Sequence, residues 1–285
     1  MLALAAAACS HPNPPAAGPG GTARAHGQAG QHRLPPLPPA KVKLTRVRLA
    51  DGALVTLAKF PGGVRYALHG GSEDPGRLAR GLVHAGRAVS PAGRQRLVAA
   101  FNGGFKLSAG VGGYEQEGHV VSPLRPGMAS LVLYRSGAVG IGAWGQSVPI
   151  PSQPVYNVRQ NQYLLVSGGQ PTPAVANWRA WGATLGGGEL VARSAVGVNA
   201  AGQLIYAGSM SASPADLAAG PVRAGATVGM QLDINPEWVQ LAYAHRPGGR
   251  LHKGIPGQVR PADQYLRGWT RDFIAVLAIS APQQP

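Results

Sequence analysis

The sequence predicts an α+β fold: a single domain of mixed, largely antiparallel sheets with a few short helices, behind a disordered N-terminal tether. Three observations point there. Gly (42) and Pro (26) make up about a quarter of the 285 residues, a density that disfavours a helical bundle because each costs roughly 1–3 kcal/mol inside a helix. Hydrophobic residues reach 45%, too many for wholesale disorder and enough for a sizeable core. Short apolar stretches separated by turn signals recur along the chain, with neither a collagen-like glycine period nor an apolar run of membrane-spanning length.

Residues 1–9 come first. Met1–Ala8 is an apolar run ending in small residues directly before Cys9. It resembles the end of a bacterial lipoprotein signal, in which the cysteine is lipidated, although the usual positively charged start is missing. A plain secretory signal and a meaningless apolar start are the alternatives. Cys9 is the only cysteine, so an intramolecular disulfide framework is excluded. Residues 10–41 hold eight Pro, five Gly and no acid, and read as an extended, disordered tether. Residues 42–285 read as one domain with no internal repeat or boundary.

Within that domain, VKLTRVRLADGALVTLAKF reads as two strands around an Asp51-Gly52 turn, and GVRYALHGG as a third. Pro75-Gly76-Arg77 opens a stretch with helical spacing at Leu78, Leu82 and Val83. Further strands are expected in RLVAAFNGGF, MASLVLYRSGAVGIGAWG, YLLVSGG, SAVGVNAAGQLIYAG, TVGMQLDI, EWVQLAYAHR and RDFIAVLAIS. Ser213-Pro214-Ala215-Asp216 is a helix start, with a Ser cap, Pro at the first position and an acid at the third. Pro221 should disturb that helix.

The chain carries 26 Lys+Arg against 11 Asp+Glu, a formal charge of +15. Six of the basic residues precede Asp51, the first acid, so the remainder holds 20 basic against 11 acidic side chains. That surplus suits an anionic partner such as a phosphate-containing polymer or a lipid headgroup, although a composition rich in Ala, Gly, Pro and Arg would also arise from base composition alone. Nucleic acid is the poorest candidate: 17 aromatic residues, no recognised module and an apparent export signal argue against it.

Four segments could carry chemistry. Asn102-Gly103-Gly104-Phe105 ends an apolar strand with an amide and two glycines that let backbone approach a ligand, or is an ordinary turn. Glu115, Glu117 and His119 alternate on one expected strand face, either an acid/imidazole or metal site or a solvated face. Arg193 opens a strand after Gly186-Gly187-Gly188, a position suited to an oxyanion clamp or to a surface charge. Asp233, Asn235 and Glu237 crowd together after TVGMQL. Their spacing departs from a calcium loop, because the sixth position is Trp238 and the twelfth is Ala244; a capping turn at Asn235-Pro236 is the alternative. The sequence requires no cofactor, specifies no metal set and leaves a divalent cation open. His84, His245 and His252 lie outside any ligand spacing.

Together and in order, these segments resemble the phosphodiester glycosidase family. The matches are Asn102-Gly103-Gly104-Phe105, Glu117-Gly118-His119-Val120, Arg193-Ser194-Ala195-Val196-Gly197, Gly202-Gln203-Leu204-Ile205, Asp216-Leu217-Ala218 and Leu232-Asp233, spanning about residues 95–280. The resemblance implies a hydrolase that cleaves a sugar-1-phosphodiester in a glycan or wall polymer. The N-terminal segment adds the expectation of an extracytoplasmic, envelope-exposed protein held by a lipid on Cys9 or secreted. One departure stands out: the family's Leu-Asp-Gly-Gly turn is Leu232-Asp233-Ile234-Asn235 here, followed by Pro236, which has no amide to offer.

Such chemistry needs carboxylates at the anomeric carbon and a cation for the leaving phosphate. Arg193 would hold the phosphate and Asp233 would act as nucleophile or base. Asn102 would orient the sugar, with Gly103, Gly104 and Asn235 lining the site and Glu117 or Glu237 as second carboxylate. The competing expectation is a tethered module that binds an anionic envelope polymer without cutting it. Convergence of Asn102, Arg193 and Asp233 in one cleft is what the enzyme reading requires.

Overall fold

The computed structural model describes residues 40–81 and 84–279. Cys9, most of the tether, Leu82 and Val83 lie outside that range. Four strands open the domain: β1 (Lys43–Arg48), β2 (Leu54–Lys59), β3 (Val64–His69) and β4 (Leu97–Asn102). The middle holds β5 (Tyr114–Gln116), β6 (His119–Ser122), β7 (Ala129–Tyr134), β8 (Val139–Ala143), β9 (Val155–Gln160), β10 (Leu164–Ser167) and β11 (Gln170–Pro171). Then come β12 (Val191–Asn199), β13 (Leu204–Ala212), β14 (Ala226–Gln231), β15 (Leu241–Ala244), β16 (Leu251–Lys253) and β17 (Phe273–Ala278). Three short helices interrupt them: α1 (Pro91–Arg94), α2 (Pro214–Arg223) and α3 (Gln264–Arg267).

The strands form three sheets. Seven run in the order β1-β2-β13-β12-β14-β10-β11, five in the order β16-β15-β4-β17-β3, and five in the order β6-β5-β9-β7-β8. Every ladder between these strands is antiparallel. The α+β fold with largely antiparallel sheets and few helices is therefore as the sequence predicts. Position in a sheet follows composition. The apolar runs LVAAFN (β4) and ASLVLY (β7) are buried along their whole length and have a neighbouring strand on each side. The basic strand KLTRVR (β1) lies on an edge, where charge discourages further pairing.

One apolar core joins the three sheets. Phe60 after β2, Phe101 on β4, Leu131 on β7, Tyr206 on β13 and Ile274 on β17 all belong to it. The Phe60 and Phe101 rings stack at 5.5 Å, and Phe101 meets Tyr206 at 5.1 Å. A second cluster seats α2 on the seven-stranded sheet, through Leu217 and Ala218 against Val55, Leu57, Ile205 and Ala207.

Several elements depart from the sequence expectation. The described part of the stretch from Pro75 forms a 3-10 turn over Gly76–Ala79 with Leu78 exposed, while Leu82 and Val83 of the expected helical spacing lie outside the described residues. Pro221 sits inside α2, which continues through it to Arg223. It lacks the N–H that would donate to the Leu217 carbonyl, and the helix ends two residues later, with the Pro221 ring buried. Glu115, Glu117 and His119 do not share a strand face. Gln116 pairs with His119, and Glu117 (φ 55°) with Gly118 (φ 82°) forms the two-residue turn between β5 and β6, which demands two left-handed residues. Strands β9, β11 and β16 lie outside the stretches expected to form strands; β9 (VYNVRQ) is rich in polar residues yet largely buried.

Candidate active site

Two strand ends lie side by side where the sheets meet. Asn102 at the end of β4 pairs with Phe273 at the start of β17, which sets Gly103-Gly104-Phe105 beside Arg271-Asp272. The Gly103 amide donates to the Asp272 carbonyl at 2.9 Å. A β-carbon on Gly103 would stand 1.9 Å from Asp272 Oδ2, and one on Gly104 3.1 Å from the Arg159 guanidinium. The glycine pair is thus required by a buried ion pair beneath it. Arg159 on β9 donates from Nε to Asp272 Oδ2 at 2.8 Å and from Nη2 to Oδ1 at 3.3 Å. Its Nη2 also donates to the Phe105 carbonyl. Both side chains are almost completely buried.

The seven-stranded sheet adds Asp233, just past β14. Ser194 on β12 holds it in place: Asp233 N donates to Ser194 Oγ at 3.1 Å, and Ser194 N to the Asp233 carbonyl at 2.9 Å. The Asp233 carboxylate accepts from the amides of Ile234 (2.7 Å) and Asn235 (3.1 Å) through Oδ1. Its Oδ2 lies 3.7 Å from Arg271 Nη2. Burial pushes this carboxyl up to about 7, against the opposing pull of Arg271 and the two amides, with Asp272 adding to the rise.

Arg271 occupies the centre. Its Nη2 donates to the Gly104 carbonyl at 2.9 Å and lies 3.5 Å from Asp74 Oδ2 as well as 3.7 Å from Asp233. Its guanidinium stands over the Trp238 ring at 4.5 Å. Nε and Nη1 are buried and have no hydrogen-bond partner among the described residues. Asp74, held by the Leu107 amide, has its carboxyl raised by burial and by Asp272, while Arg159 and Arg271 act in the other direction.

Two adjoining cavities open here. One of about 320 Å³ is lined by Phe105, Lys106, Ile234, Trp238, Asn235 and Asp233. The other, about 700 Å³, is lined by Asp74, Arg77, Leu107 and Arg271, and shares Lys106 and Ser108 with the first. The ammonium of Lys106 lies 5.3 Å from the Trp238 ring. Asn235 lines the smaller cavity while its Oδ1 accepts from the Glu237 amide at 2.9 Å.

The remaining residues singled out from the sequence sit elsewhere or face inward, so Asn102, Arg193 and Asp233 do not converge in one cleft and an enzyme site built on those three is not formed. Asn102 is joined to Asp233 through Ser194, but its side chain is fully used: Nδ2 donates to Gly103 O and Ser194 Oγ, and Oδ1 accepts from Tyr206 OH and Gln240 N. It ties β4 to the seven-stranded sheet and has no group left for a sugar. Arg193 precedes Ser194 and so points to the opposite face of β12. There it is fully buried and donates to Ala212 O, Gln231 Oε1 and Glu189 O. Burial lowers its guanidinium to about 10, with Glu189 opposing. Glu237 forms a half-exposed ion pair with Arg260 at 2.7 Å. Glu117 accepts from the His84 and Ala85 amides and meets the His84 ring, each at 2.7 Å. Neither glutamate lines either cavity. Among the described residues, no group of three or more His, Cys, Asp or Glu side chains could hold a metal.

Asp74, Arg159, Arg271 and Asp272 escaped the sequence reading. Adjacent opposite charges directly before a wholly apolar strand (Arg271-Asp272, then FIAVLA) were the available signal.

The fold is similar to that of the zebrafish N-acetylglucosamine-1-phosphodiester alpha-N-acetylglucosaminidase catalytic domain, auto-inhibited by its pro-peptide. The TM-score is 0.51 at 16% identity, over 88% of this chain and 85% of that one. A hypothetical protein from Synechocystis gives a TM-score of 0.50 at 15% identity, over 85% of this chain but only 64% of that protein. The sequence matches no family model and no curated protein. The likeness is one of fold, at a distance, and includes a hydrolase domain.

Proposed function

We propose that the chain is a hydrolase of sugar-1-phosphodiester linkages acting in the cleft between Asp233 and Asp74. The observation that carries this reading is the buried carboxyl of Asp233 beside the guanidinium of Arg271, at the wall of a small cavity lined by Phe105 and Trp238. A raised carboxyl can deliver a proton at neutral pH, and a fixed guanidinium can hold phosphate charge as the anomeric bond breaks. Aromatic side chains offer a sugar an apolar wall.

Phosphate-gripping passes in this reading from Arg193 to Arg271, because Arg193 faces away from the cavities. The second carboxylate passes from Glu117 or Glu237 to Asp74. Its oxygen and that of Asp233 flank the same nitrogen, at 3.5 and 3.7 Å. They therefore lie within about 7 Å of each other, in reach of one anomeric centre. Asp233, expected from the sequence as nucleophile or base, here protonates the departing phosphate oxygen. A water adds to the anomeric carbon and gives its proton to Asp74, which faces the positive charge that develops on the sugar. An envelope polymer as substrate and a lipid anchor at Cys9 belong to the same proposal.

The test is release of phosphomonoester from a synthetic N-acetylglucosamine-1-phosphodiester. Asp233→Asn should lower kcat by about 10²–10⁴-fold, and wild-type turnover should fall as pH rises above about 7. An unchanged rate in Asp233→Asn would remove the assignment. A second reading, a polymer-binding module, is favoured by Asn102, Arg193, Glu117 and Glu237 all being engaged by the fold itself. Retention of an anionic polymer with no cleavage products would decide for it.

A further inference from the structure

Arg271 is outnumbered and under-bonded at once. Two carboxylates flank its Nη2, while its Nε and Nη1 are buried with no acceptor among the described residues. A buried charged donor left unpaired costs more than a neutral one, so the site gains when an acceptor arrives. Standing over the Trp238 ring does not satisfy these donors, since N–H bonds lie in the guanidinium plane. The side chain lines the larger cavity, so an acceptor entering there meets the guanidinium and reaches the buried Nε and Nη1 by a shift of that side chain.

The acceptor's charge is the second consideration. Asp233 and Asp74, both ionised, over-compensate the one guanidinium between them. The neighbouring Arg159–Asp272 pair is closed on itself and supplies no spare cation. Lys106, Arg77 and Glu73 also line the larger cavity, and only Lys106 adjoins Trp238. An incoming anion therefore meets a locally negative trio. One proton removes the excess, and Asp233 is the group whose burial already favours the proton.

We propose that Arg271 is an oxyanion site that binds a monoanionic phosphodiester together with one proton, the proton residing on Asp233. Asp74 acts as a positioning residue, holding the guanidinium in register between the Gly104 carbonyl and the cavity. The site belongs to the cleft assigned above to hydrolysis, but binding and proton uptake need no turnover.

The experiment is titration of the full-length chain with dimethyl phosphate, which carries the same charge throughout the range used. Calorimetry at pH 6–9, in two buffers of different ionisation enthalpy, gives Kd and the protons taken up. In the wild type, one proton should enter per anion above about pH 7, and Kd should weaken roughly tenfold per pH unit there. Asp233→Asn should bind with no such slope, and at pH 8.5 more tightly than wild type by about fivefold or more. Asp74→Asn, which also removes the excess negative charge, should make the slope shallower without abolishing binding, whereas only Asp233→Asn should remove the proton uptake entirely. Arg271→Gln should lose binding, and Arg271→Lys serves as a charge-preserving control should the former fail to fold.

A wild-type Kd that is flat from pH 6 to 9, a slope that survives in Asp233→Asn, or no binding at all would each overturn the proposal. Proton-linked binding without phosphodiester cleavage would leave it standing and remove only the hydrolase reading. Cleavage without proton-linked binding would do the reverse.

Discussion

Asp233 shows how one residue's environment fixes what it can do. The unfolded chain gives up this proton near 3.8, whereas burial holds it in the folded chain to about 7. Between these values unfolding releases a proton, so stability from this group declines as pH rises from 4 to 7 and is level above that. The whole effect is on the order of 4 kcal/mol at most, at ~1.4 kcal/mol per unit. Asp233→Asn should flatten that part of the profile, measured by urea unfolding at pH 4.5 and 7.5; an unchanged difference would mean that the carboxyl ionises normally. Gly103 makes the opposite case, a residue defined by absent atoms. Gly103→Ala places carbon inside the Asp272 carboxylate and should destabilise by about 3–5 kcal/mol, the scale of a broken buried ion pair.

At the scale of elements, local rules account for much of what is seen. The α2 capping box forms as its sequence specifies: Asp216 N donates to Ser213 Oγ at 3.1 Å, and Ser213 N to Asp216 Oδ2 at 2.8 Å. Ser213→Ala should therefore cost about 0.5–2 kcal/mol in thermal or urea unfolding. The Asp51-Gly52 turn likewise joins β1 to β2, with Arg48 opposite Leu54. The β5–β6 hairpin was harder to read, because its turn is Glu117-Gly118 and a strand pattern of alternating residues runs straight across it. Alternation reports a face only while the backbone stays extended, and two left-handed residues end that condition.

The molecule as a whole is held at the point where its three sheets meet, and the candidate site is built from the same contacts. Arg159 comes from the sheet containing β9, Asp272 from the entry to β17, and Asp233 from the end of β14. Removing Arg159 leaves Asp272 buried without its partner, so Arg159→Met should lower stability by about 3–5 kcal/mol. It should also loosen the Phe105 loop, read as faster amide exchange at Phe105 and Lys106; protection equal to wild type would mean that the sheets are joined by apolar contacts alone. Asn102 reinforces the junction from the other side, through Ser194 and Tyr206.

By itself the sequence determined the fold class, most of the strands, the capped helix, and the two segments that meet at the cleft, Asn102–Phe105 and Leu232–Asn235. Those follow from composition, period and turn chemistry, which act between residues close in the chain. Only the tertiary structure decided which polar groups face the cavities. Arg193 and Arg271 are each a basic residue at a strand's beginning, and although Asp272 marks Arg271 as part of a charged pair, no local pattern says which guanidinium faces a cavity. One lies on the β12 face opposite Ser194, with three protein acceptors; the other lies between Asp74 and Asp233, with two donors unclaimed. That difference arises from residues 38 and 197 positions distant from Arg271 meeting at one nitrogen, and a contact of that range is set by how sheets pack.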